Sequence, residues 1–145
     1  MSQAWKKWLP EGIEIAERFE FARFISDSGE LTIFLQGSLS TLKIEFERAI
    51  SVHCVDESNI LNQVFEYCRQ WKEEGWGQWS LFLIENSNYL KWLSSENSGV
   101  LEAMHKNLRH YQFVTSYDIV DVIANETPKV SFSEEERLPP FADED

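Results

Sequence analysis

The run "LKIEFERAISVHC", residues 42–54, constrains this chain more than any other stretch. Apolar residues hold the even positions Leu42, Ile44, Phe46, Ile50, Val52 and Cys54, while Lys43, Glu45, Glu47, Ser51 and His53 hold odd ones. A strand turns successive side chains to opposite faces, so this alternation predicts one buried face and one wet face. Strands with a wet face belong to antiparallel sheets. The run is either one long strand or two strands joined by a bend near Arg48. On this pattern Cys54 is a small core residue.

The neighbouring segments extend the same reading. "RFEFARFISD" places Phe19, Phe21 and Ile25 on one face of a strand. Ser26 to Glu30 form a turn with Gly29 at its permissive position, and "LTIFLQ" returns with Leu31, Ile33 and Leu35 inward. "QWSLFLIE" predicts a more deeply buried strand, since Leu81 to Ile84 are all apolar. "HYQFVT" and "DIVDVIA" predict a hairpin about "SYD", with Asp118 in the turn and Pro128 closing the second strand.

Two segments change period. Leu61, Val64, Phe65, Cys68 and Trp71 recur at three and four, which predicts a helix begun by Asp56 or Ser58 and ended by Gly75. "NSNYLKWLSSENSG" predicts a shorter helix with Leu90 and Leu93 inward, followed by a polar loop through Asn107. A weakly marked N-terminal helix carries Trp5 and Trp8. Strands first and helices later indicate an α+β protein. The expected fold is a twisted antiparallel β-sheet with one main helix and a short second helix packed on one face. Residues 1–132 form a single globular domain. Residues 133–145, with six acids against one arginine, form an acidic flexible tail.

Charge narrows the function. The 25 acids and 13 bases give a formal −12, which disfavours direct contact with nucleic acid or an anionic membrane. A basic protein partner is favoured, because complementary charge speeds encounter and selects partners. Acidity kept for solubility alone is the plainer alternative. The N-terminus lacks a signal-peptide core, and no run reaches the ~20 apolar residues of a membrane span, so a cytoplasmic protein is expected.

Sites of chemistry are sparse. His53, His105, His110, Cys54 and Cys68 show no zinc-ligand spacing, so no metal or other cofactor is expected. "STLK" has the Ser-x-x-K spacing of Ser40 and Lys43, but it opens a strand where the catalytic motif needs a helix. His110 and Asp121 fall on neighbouring hairpin strands and can face each other as an acid–base pair. The alternative is that both hydrogen-bond within the framework. Trp76, held between Gly75 and Gly77 beside Glu73 and Glu74, is hard to bury, and an exposed tryptophan among acids suits a basic partner. Trp5 and Trp8 share that reading more weakly, whereas Trp71 and Trp79 read as core.

The pattern Ser87, Tyr89, Trp92, Ser98, Gly99, His110, Tyr111, Thr115, Asp118, Asp121, Val122, Pro128 and Val130 completes the picture. Across residues 82–130 it resembles a family of small bacterial immunity proteins of polymorphic-toxin and contact-dependent inhibition systems. The resemblance implies a protein that binds and neutralises a basic protein toxin, a nuclease being one such toxin, and that is not itself an enzyme. Within it Asp118 shapes the hairpin turn, and His110 and Asp121 belong to the framework. Glu73, Glu74, Trp76 and Asp118 are the candidate partner contacts.

Overall fold

A computed structural model describes residues 3–56 and 79–133. The helix expected over residues 56–75, the contacts Glu73, Glu74 and Trp76, and the acidic tail beyond Ser133 lie outside the described residues.

The described chain forms β1 (Ala4–Lys7), β2 (Phe21–Asp27), β3 (Glu30–Gln36), β4 (Thr41–Phe46), β5 (Ser51–Asp56) and β6 (Leu81–Glu85). Then come α1 (Asn88–Glu96), α2 (Val100–Met104), β7 (Arg109–Val114), β8 (Asp118–Ala124) and β9 (Lys129–Phe132). All seven strand pairings are antiparallel. They build two sheets rather than the one expected: a five-stranded sheet ordered β1-β6-β7-β8-β5 and a four-stranded sheet ordered β2-β3-β4-β9.

The division falls at the bend near Arg48. β4 stays in the smaller sheet beside β3, and β5 crosses to the larger one beside β8. Backbone bonds hold the crossing at both ends, from Ala49 N to Gly29 O and from Ile50 N to Ile123 O. Alternation reports which face a residue takes and not which sheet its strand joins, so the two cannot be told apart by period alone.

One buried cluster spans both sheets. Leu31, Ile33, Leu35, Leu42, Ile44 and Phe46 from the smaller sheet meet Leu81, Tyr111, Phe113, Val120 and Val122 from the larger one. Trp8 lies among them, with its ring edge-on to Tyr111 at 5.1 Å. Each such large side chain, once buried, stabilises the fold by roughly 1.5–3 kcal/mol. Trp5 and Trp8 are therefore core residues on or beside a strand, and the exposed, helical reading of both is wrong. Trp79 packs partly buried against the core, as its sequence context suggested.

Three further readings change. Cys54 is exposed, on β5, the outermost strand of its sheet. In β2 the ladder puts Ala22 and Phe24 opposite Leu35 and Ile33, so Phe21 and Ile25 take the outer face. Ile25 is 58% exposed there. Finally, β1, α2 and β9 are elements that periodicity did not reveal; two are four-residue strands and one a five-residue helix.

Candidate functional site

The outer face of the larger sheet carries a buried polar chain. Gln112, Asp121 and His53 share one rung across β7, β8 and β5, while His110, two residues along β7, lies opposite Ile84 and Ile123. His110 and Asp121 are thus diagonal neighbours on one face, as the hairpin reading expected. Their side chains meet at 2.6 Å, His110 Nε2 to Asp121 Oδ1. Gln112 Nε2 donates to the same oxygen at 2.8 Å, and Trp5 Nε1 donates to Gln112 Oε1 at 2.6 Å. His53 Nδ1 stands 3.6 Å from Asp121 Oδ2 at the solvent end.

The other end of the chain reaches α1. Ser87, its N-cap, accepts a bond from Leu90 N at 2.9 Å, and its hydroxyl lies 2.6 Å from His110 Nδ1. A carboxylate only accepts, so Nε2 donates to Asp121, and in a neutral imidazole Nδ1 accepts from the Ser87 hydroxyl. The bonds run without a break from Trp5 Nε1 through Gln112, Asp121, His110 and Ser87 to Leu90 N. Ser87, His110, Gln112 and Asp121 are all buried. Buried polar groups in so complete a chain stabilise a single arrangement, and losing one member leaves the others costly.

The Ser–His–Asp sequence of contacts has the polarity of a nucleophile relay. Its details favour a framework role. The Ser87 oxygen already caps α1, and attack on a substrate would take that lone pair from the helix. Tyr89 covers the chain from α1, its ring 5.6 Å from that of His110 and 5.7 Å from that of His53. The Tyr89 hydroxyl hydrogen-bonds Ser51, and burial pushes its pKa up against the lowering effect of that bond.

Asp118, the one predicted contact among the described residues, sits at the start of β8. It does not shape the turn with its side chain. Thr115 does so: its Oγ1 accepts from Asp118 N at 3.0 Å and donates to Asp118 O at 3.2 Å, in place of the missing glycine. The Asp118 carboxyl stands instead beside Asp56, its partner on the last rung of the β5–β8 ladder. Burial, and then the Asp56 charge, push its pKa up. Tyr117, the residue before it, is 55% exposed and stacks on Phe21 with ring centroids 5.2 Å apart.

Some surface features escaped the sequence reading. Trp92, 56% exposed and stacked on Tyr89, is the large exposed tryptophan of the described residues. It faces away from half-buried Leu90 and Leu93, a placement that helical spacing does mark. An open cavity of about 980 Å³ lies where α1 and α2 meet β1, β6 and β7, with Ser87 and His110 at its wall. Among the described residues no group of three or more histidines, cysteines and acids is placed to hold a metal ion, and no helix is long and apolar enough to cross a membrane.

Comparison with known protein families, with characterised proteins and with solved structures found no match.

Proposed function

We propose that this protein acts in the cytoplasm as an immunity protein, binding a basic bacterial toxin and blocking it by occupation of its surface. The observation that carries the reading is the Asp56–Asp118 pair. Two carboxyl groups face each other across an edge rung, at a cost to the free protein that burial of Asp118 increases. A lysine or arginine from a partner would place an opposite charge beside Asp118, whose pKa burial and the Asp56 charge raise. Exposed Tyr117 beside it offers an aromatic anchor of the kind that dominates interfaces. The formal charge of −12 then steers a cationic toxin toward this edge. Glu73, Glu74 and Trp76 complete the proposed contact set.

A second reading is favoured by one observation, the 2.6 Å contacts that join Ser87, His110 and Asp121 beside the cavity. On that reading the protein is a small enzyme with His110 and Asp121 as its acid–base pair. Co-expression with the product of the adjacent upstream gene separates the two. Growth rescue that survives Ser87→Ala but fails with Asp118→Lys supports binding, and the reverse supports catalysis.

A further inference from the structure

Four strands end the two sheets, and three of them are guarded. β1 and β9 have four residues each and carry Lys6, Lys7 and Lys129, while β5 carries His53 and Asp56. Short length and charge are the usual devices that keep an edge from pairing with another chain. β2 is less protected. It runs for seven residues, and among the described residues it pairs only with β3. It has no proline or lysine, and the guanidinium of Arg23 lies on the β3 side, over the Phe34 ring at 4.5 Å. Phe24 and Ile25 are 40% and 58% exposed. Every second residue of such a strand turns its N–H and C=O away from its one neighbour.

The free edge overlooks a gap in the sandwich. β2 runs along β8: Phe21 stacks on Tyr117 just before β8. At the other end Gly29 O, just after β2, accepts from Ala49 N, and the adjacent Ile50 N donates to Ile123 O near the end of β8. Phe46 of β4 meets Tyr111 of β7 with ring centroids 5.4 Å apart, so the smaller sheet extends from β8 toward β7 and away from β5. The rung partners Val122 and Val120, both in the core, put Val52 and Cys54 on the core side of β5. Cys54 is nevertheless exposed, and the smaller sheet stops at β2. Phe24, which faces the core side opposite Ile33, is exposed at the same place. One more strand beside β2 covers both. At the Tyr117 end of the gap stand Asp56 and Asp118 on their shared rung.

We infer that β2 takes up an extended segment of a cationic protein as a fifth strand of the smaller sheet. The segment pairs antiparallel with β2, the commoner geometry, and main-chain bonds hold it there. Its inward apolar side chains cover Phe24 and Cys54, and a lysine or arginine near its C-terminal end reaches Asp118. A second copy of this chain is the poorer occupant, since it brings its own −12 charge and another Asp56–Asp118 pair to the same edge. The cationic character of the partner rests on the proposed function, whereas the strand addition rests on the edge itself.

The test is titration of the full chain with a capped six-residue peptide of threonine alternating with valine, valine and lysine in that order, followed by amide NMR. Saturable binding is expected, with shifts along β2 and at Cys54. The same peptide N-methylated at every residue keeps its side chains and charge but loses its donors, and is expected to bind at least about tenfold more weakly. Phe24→Lys, at an exposed position, puts a charge on the free edge and lowers the affinity by a similar factor. Absence of saturable binding, shifts confined to other residues, equal affinity of the N-methylated peptide, an undiminished affinity in the folded Phe24→Lys variant, or a dimer of this chain joined through β2 each overturns the inference. A toxin complex that leaves the β2 amides unshifted also overturns it and leaves the proposed function standing. Peptide binding on β2 without any toxin complex does the reverse.

Discussion

Replacing Asp121 with alanine removes the acceptor on which two buried donors converge. His110 Nε2 and Gln112 Nε2 reach the same carboxylate oxygen at 2.6 and 2.8 Å, and both residues are buried. A buried donor left unsatisfied costs about 1–3 kcal/mol, so the two together cost roughly 2–6 kcal/mol. Removing the buried carboxylate also removes its own desolvation, which moves the expected loss to about 2–4 kcal/mol. Against a total stability of ~5–15 kcal/mol this is a large fraction. Urea unfolding at neutral pH, followed by tryptophan fluorescence, reads it as a lower midpoint with an unchanged slope. Asp121→Asn keeps a carbonyl oxygen with two lone pairs for both donors, loses only the charge assistance of those bonds, and is expected to cost less than the alanine variant. A loss under about 0.5 kcal/mol for the alanine variant, the range of ordinary surface substitutions, refutes the claim that this chain of bonds supports the fold.

Ser87→Ala removes both the cap of α1 and the partner of His110 Nδ1, and is expected to cost about 1–3 kcal/mol in the same assay. Asp118→Asn acts in the opposite direction. A carboxyl whose folded pKa is raised holds its proton longer in the native state, so stability falls as pH climbs from the unfolded value near ~3.9 until Asp118 ionises in the fold. The variant loses that decline and gains about 0.2–1 kcal/mol at pH 7 in urea titrations run across pH, while binding the toxin less tightly. The Cys54 thiol, exposed but with its pKa pushed up by burial and by Asp118 and Asp121, reacts with a disulfide reagent at pH 8 more slowly than a free thiol, and faster once Asp118 is asparagine. Charge reversal at Glu73 and Glu74 is expected to slow association with the toxin and flatten its salt dependence in stopped-flow measurements.

The sequence carried the hairpins well because each strand was long enough for period two to show. β3, β4, β7 and β8 were all legible, and so was the meeting of His110 with Asp121 across the last hairpin. It did not carry β1 or β9, whose four residues each give period two too little length to stand out. Nor did it separate the two sheets, because the bend after Phe46 keeps the alternation in step while redirecting the chain. Cys54 shows the consequence: its parity was right for the core side, but an outermost strand leaves it exposed. Ser87 entered the sequence reading only through the resemblance pattern, and its contact with His110 spans 23 residues of chain that local pattern does not register.

On the proposed function, the molecule works by docking an acidic edge onto a cationic protein. The most direct test is to co-express the chain with the product of the adjacent upstream gene and pass the lysate over a sizing column. Restored growth and a one-to-one complex that Asp118→Lys dissolves are expected. Restored growth without any complex, or a complex indifferent to Asp118→Lys and to the charge reversals at Glu73 and Glu74, contradicts the proposed function.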